Sequence, residues 1–154
     1  MTDVDRGNPA WRVTWRAAYA LIRLLDPLVR SSVALGMPGL ERIVELRIRG
    51  RRTGRERGVL VTLLTLDGMT YVGHPNGTAS WLRNLEATGS AILVIQGEPP
   101  LPVHATTLPP GDERTAVIRA TASLQPFPAN VLYRAARGHI LRVGHYVRLE
   151  ATTD

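Results

Sequence analysis

Residues 47–66 restrict the fold more than any other stretch of the chain: R-I-R-G-R-R-T-G-R-E-R-G-V-L-V-T-L-L-T-L. Leading into it, Val44, Leu46 and Ile48 alternate with Glu45, Arg47 and Arg49, the two-residue period of a half-buried strand. Gly50, Gly54 and Gly58 then interrupt the arginines Arg51, Arg52, Arg55 and Arg57, and a β-branched and leucine run at 59–66 predicts a second strand. Asp67-Gly68 spells a two-residue hairpin turn into a third strand, 69–74. Strand, glycine loop, strand, hairpin and strand in this succession commit the chain to antiparallel pairing. The loop also carries chemistry. Glycine lets the backbone turn tightly and approach a ligand, and guanidinium forks match carboxylates and phosphates, so the pattern points to a polyanionic small molecule.

The flanking segments predict how such a sheet is covered. Asn8-Pro9 reads as a helix cap followed by proline in the first turn, after a polar start at 1–7. Trp11, Trp15, Ala18, Ile22, Leu25 and Val29 recur at helical spacing, with Arg12, Arg16, Arg23 and Arg30 on the neighbouring face. Asp26-Pro27 predicts a kink or a second helix, and Gly36 and Pro38 close the segment. Most amphipathic helices cover their own core, and we favour that reading here; the alternative is docking on an anionic membrane surface, tryptophans into the interface and arginines to the headgroups. Beyond the third strand come a loop at 75–79, a helix at 81–88 capped by Ser80 and ended by Gly89, and a strand at 91–96. A fifth strand follows at 101–108, whose Pro102 suggests an edge or a bulge. Helices are predicted at 113–124 and 129–137, broken by prolines at 126 and 128. In the last strand Leu141, Val143, His145, Val147 and Leu149 share one face and Arg142, Tyr146 and Arg148 the other. Six antiparallel strands with short inserted helices define a mainly β, α+β chain that closes as a barrel or strongly curled sheet. We expect one domain over 1–154, with a helical extension at 1–40 and the barrel at 41–150.

Composition narrows the partners. All 19 basic residues are arginine, against 13 acidic ones, and the net charge of +6 favours anionic partners without choosing among them. The absence of cysteine removes disulfides, thiolate catalysis and cysteine-ligated metal. Neither H-E-x-x-H nor a carboxylate cluster occurs, so no metal is expected. No apolar run is long enough to span a bilayer, and the start lacks the apolar core of a signal peptide, which makes a cytoplasmic location the expectation, with peripheral membrane contact through the first helix as its variant. Nucleic acid is the weaker partner for the arginines, because no stacking aromatics interleave with them.

The run G-R-R-T-G-R-E-R at 50–57, the following strand, the Asp-Gly hairpin, a glycine loop and then W-L-R-N-L at 81–85 resemble, in order and spacing, the deazaflavin-dependent nitroreductase family. The likeness extends over about residues 35–108. It implies a split β-barrel and use of coenzyme F420, with FMN as the alternative cofactor. It further implies hydride transfer between the reduced deazaflavin and a flat small-molecule acceptor such as a quinone or nitroaromatic. Split barrels of this general type often dimerise across the sheet, which leaves a homodimer as one open expectation. Carried over by position, the resemblance puts the phosphate and oligoglutamate tail on Arg51, Arg52, Thr53 and Arg57. It sets Val59, Leu60, Gly73 and His74 beside the ring, Asn76 in the adjoining loop, and Trp81 and Asn84 on the short helix. Tyr133 and His74 are the candidates for protonating the product. Where many members have serine-lysine-glycine-glycine after the third strand, this chain has Pro75-Asn76-Gly77, so the lysine is missing and Arg55 is the nearest substitute. The departures keep a second reading open, a non-catalytic protein of the same fold that binds F420, a fatty acid or another apolar ligand.

Overall fold

The computed structural model describes residues 8–36, 40–77, 79–125 and 127–153, apart from the side chain of Ile22. The expectations for residues 1–7, Pro38 and Pro126 lie outside the described residues. Helix α1 (Pro9–Ala34) starts where Asn8 accepts the Ala10 N–H on its side-chain oxygen at 2.9 Å. It continues through Pro27 as one helix rather than two. Pro27 is on the exposed side, where water can meet the carbonyl that the missing N–H leaves free. Strands β1 (Ile43–Arg49), β2 (Glu56–Thr62), β3 (Leu64–Leu66) and β4 (Met69–His74) follow. Helix α2 (Ser80–Thr88) separates them from β5 (Ser90–Val94) and β6 (Leu101–Thr107), and α3 (Asp112–Leu124), α4 (Ala129–Ala135) and α5 (Arg137–Val143) precede β7 (His145–Ala151).

The sheet order is β2-β1-β5-β6-β7-β4-β3, with every neighbouring pair antiparallel. Its two outermost strands, β2 and β3, are consecutive in the chain and separated by Leu63 alone. One residue spans roughly 3.5 Å, so the two edges of the sheet must meet at that point and the sheet curls into the expected split β-barrel. The same break explains why seven strands replace the six predicted: the run 59–66 turns a corner at Leu63, whose N–H donates to the Arg42 carbonyl at 2.7 Å.

Two cores result. The barrel interior holds Val44, Leu46 and Ile48 of β1 with Val72, Leu93 and Leu149, and α2 closes one end with the fully buried Leu82 and Leu85. Outside the barrel, Trp15 of α1 packs with Tyr71, Val117, Ile118, Ile140 and Tyr146, so β4 and β7 are covered on both faces. The Asp67-Gly68 turn has positive φ at both residues, as the hairpin requires, and Gly89 ends α2 at φ 64°.

Other expectations fail for nonlocal reasons. Ser80 lies inside α2, and Ala79 takes the cap position without a side-chain bond. Strand β6 is central, between β5 and β7, and not an edge. Pro102 is tolerated because it falls where the ladder to β7 frays: its carbonyl accepts the Thr152 N–H just past the last residue of β7. Leu141, Arg142 and Val143 are helical, not the start of the last strand, and Gly144 ends α5 with its N–H on the Ile140 carbonyl at 2.7 Å. Tyr146, assigned to the polar face, is buried under the helices.

Gly73 shows how tightly this second core is set. A Cβ there would run into the ring of Tyr146, its partner across the β4–β7 ladder. Gly73→Ala is therefore expected to destabilise the fold by about 1–3 kcal/mol. Urea unfolding with an unchanged midpoint would show that the Tyr146 ring is free to move.

Candidate functional site

The basic loop is a built turn. The Gly50 N–H donates to the Arg55 carbonyl and the Gly54 N–H to the Gly50 carbonyl, each at 2.8 Å, closing the connection between β1 and β2. Gly54 takes φ 65°, a conformation that L side chains rarely adopt. From α2, Asn84 reaches this turn: its Oδ1 accepts the Arg51 backbone N–H at 3.3 Å and the Arg51 Nη1 at 2.9 Å. Thr53 Oγ1 accepts the Arg55 N–H at 3.4 Å and is thereby turned into the loop. Arg52, Arg55 and Arg57 are exposed and have no ion-pair partner among the described residues. The structure thus joins Arg51 to Asn84 across 33 residues of chain and leaves three neighbouring guanidiniums free. Trp81, on the same helix as Asn84, is half-buried and packs against the barrel interior, as does Val59. Leu60 follows Val59 in an extended strand and so points to the opposite face.

Gly73, His74 and Asn76 fall in a different place, beneath α1. The Asn76 N–H donates to His74 Nδ1 at 3.1 Å, and its Nδ2 donates to the Arg12 carbonyl of α1 at 3.3 Å. Its Oδ1 lies 2.8 Å from His139 Nε2. This network assigns the proton to Nε2 in both histidines: His74 accepts from the Asn76 N–H on Nδ1, and His139 donates its Nε2 proton to Asn76 Oδ1. Tyr19 of α1 stacks on the His74 ring at 4.2 Å, and Tyr133 meets Trp15 edge-on at 4.9 Å. Burial, and then the neighbouring His145, lower the His74 pKa to about 4; burial, and then Arg12, lower that of His139. Burial raises the phenols of Tyr133 and Tyr19, the latter also through Tyr133. His145, which the alternation puts on the apolar face of the last strand, is half-buried with Nε2 3.3 Å from Glu86 Oε1. Tyr19, His139 and Arg12 were missed as members of this cluster, and only the helical spacing of Tyr19 with Trp15 hinted at it.

The predicted site residues therefore form two groups. The loop group is the exposed Arg51, Arg52, Thr53 and Arg57 with the half-buried Asn84, and Trp81 and Val59 at the barrel end. The buried group is His74, Asn76 and Tyr133, with Gly73 beside Tyr146. Helix α2 touches both neighbourhoods, through Asn84 to the loop and through Glu86 to His145, the ladder partner of His74.

Several solved structures share this architecture. An F420-H2 dependent reductase, FDR-A, is 21% identical over 71% of this chain and 94% of its own, with a TM-score of 0.55. A structure described as a domain-swapped dimer is 18% identical over 87% of this chain and 99% of its own, with a TM-score of 0.54. HutZ, the heme storage protein of Vibrio cholerae, is 13% identical over 74% of this chain and 84% of its own, with a TM-score of 0.56. The chain thus has the split-barrel fold that the sequence resemblance implies, and an F420-H2 dependent reductase is among the proteins that share it. At these identities the likeness is one of fold. No protein-family profile matches the chain, and no curated protein does.

The buried histidines have a measurable consequence. An unfolded histidine titrates near 6.5 and folded His74 near about 4, so the unfolded chain takes up its proton first as pH falls. The contribution of His74 to stability is complete above about pH 6.5 and is lost on the way down to about pH 4, by about 3 kcal/mol. His74→Phe keeps a ring against Tyr19 and is expected to flatten this acid loss in urea midpoints measured from about pH 7 to about pH 4.5. An unchanged slope would assign the loss to other groups.

Proposed function

We propose that the protein is an oxidoreductase that uses reduced coenzyme F420 to reduce a flat electrophilic acceptor such as a quinone or nitroaromatic. The observation that carries this reading is the loop at the barrel end, where Arg52, Arg55 and Arg57 are exposed and have no ion-pair partner among the described residues while Asn84 and two backbone hydrogen bonds fix the turn. A phosphodiester with an oligoglutamate tail leaves water only when charge-assisted hydrogen bonds replace its hydration, and several guanidiniums on one fixed turn supply them. The donor set fits the anionic end of the coenzyme. The ring end fits less fully, since Gly73, His74 and Asn76 already have partners under α1, which leaves the half-buried Val59, Leu60 and Trp81 of the residues expected on the ring side. Bound coenzyme would supply the hydride. The chain's own part would be to hold the anionic tail, orient the acceptor and exclude water. The oxidoreductase among the fold neighbours supports this reading, and the domain-swapped neighbour supports a homodimer.

The sealing of His74, Asn76 and Tyr133 beneath α1 favours one alternative, a binding protein without turnover, because neither candidate proton donor is exposed. Titration with F420 separates the readings. Saturable quenching of tryptophan fluorescence at micromolar coenzyme is expected, weakened about tenfold or more in Arg52→Glu. Binding that is unaltered in Arg52→Glu would place the coenzyme elsewhere. A saturable response to FMN alone would change the cofactor, and F420 binding without reduction of any quinone or nitroaromatic would favour the carrier.

A further inference from the structure

Helix α1 has two apolar faces, and the barrel uses only one. Trp11, Trp15, Ala18 and Tyr19 belong to the outer core, and Trp15 is 3% exposed. On the other side Leu21, Leu24 and Leu28 follow one another at helical spacing, with Leu35 one heptad beyond Leu28, and these four are 58, 77, 66 and 79% exposed. Val13 extends the ridge toward the start of the helix, also exposed. Arg16 and Arg23, seven residues apart, are exposed alongside it and have no ion-pair partner among the described residues. The one carboxylate of α1, Asp26, is turned to Arg30 at 2.7 Å, and Arg30 reaches the Gly58 carbonyl and Glu45 on the barrel.

We propose that this outer face of α1 docks the protein on an anionic lipid surface, with Leu21, Leu24, Leu28 and Leu35 entering the acyl boundary and Arg16 and Arg23 meeting lipid phosphates. The orientation is opposite to the one the sequence suggested, because the tryptophans are on the barrel side. Charge selects the occupant. An apolar ridge edged by unpaired arginines and free of acidic side chains complements a negative interface. A second copy pairing antiparallel along the same ridge would set each arginine row against its own duplicate. The Arg30–Gly58 bond also ties the second half of α1 to the start of β2, so the basic loop adjoins the docking edge.

The test is co-sedimentation of the full chain with vesicles of phosphatidylcholine alone or mixed with about one third phosphatidylglycerol. Partition is expected to be about tenfold or more stronger on the anionic vesicles, to fall by a similar factor in Leu24→Ser/Leu28→Ser, and to lose its lipid preference in Arg16→Gln/Arg23→Gln. All these side chains are exposed, so the variants should keep the wild-type melting temperature and circular dichroism. Tryptophan emission should stay in place on binding, since Trp11 and Trp15 face the core. Failure to sediment with anionic vesicles, or full binding by the leucine variant, would overturn the proposal. So would a large blue shift of tryptophan emission, or a dimer that the leucine variant dissolves while vesicles leave the wild type in solution.

Discussion

The rest of the structure depends on the meeting of two sheet edges at Leu63. Because β2 and β3 are the outermost strands and one residue joins them, a flat sheet is excluded by chain length alone. Curling creates an interior, and the interior selects the even-numbered residues of β1, Val44, Leu46 and Ile48, against Glu45, Arg47 and Arg49 outside. It also leaves an open end, which α2 closes with Leu82 and Leu85. The opposite side of that short helix then presents Asn84 at the rim, next to the turn between β1 and β2. The position of the basic loop is therefore a consequence of barrel closure, and the Arg51–Asn84 hydrogen bonds fasten what the topology has already brought together.

What could be read from the sequence follows the range of the forces involved. Strand β1, the Asp67-Gly68 turn and the Gly89 cap are decided by residues within a few positions of one another, and each is found where alternation and turn chemistry put it. The corner at Leu63, the place of Pro102 in a central strand and the helical state of residues 141–143 are decided by distant partners. In the last case alternation at 141–149 mimics a strand until Gly144 intervenes. The loop half of the site was legible because the six arginines between 47 and 57 outnumber the one carboxylate among them, Glu56, and the surplus must stay in water or meet an anion. The buried half was not. His74 and Asn76 look like an exposed loop end in sequence, and only the arrival of Arg12 and Tyr19 from α1 and of His139 from α5 makes them interior.

These two halves embody opposite electrostatic solutions. Under α1 every group that hydrogen-bonds to Asn76 is neutral, and burial, helped at His139 by the neighbouring Arg12 guanidinium, keeps the histidines so. At the loop, like charges are concentrated on one turn and kept in water, so their mutual repulsion opposes the hairpin that carries them. Backbone bonds within the turn and the neutral amide of Asn84 hold the loop in shape without cancelling its charge. A carboxylate in place of Asn84 would have stabilised the unliganded loop more strongly and, by the same attraction, competed with an incoming anion. The neutral acceptor fixes the geometry and leaves the full charge of Arg52, Arg55 and Arg57 in water, which is what the proposed binding of an anion requires.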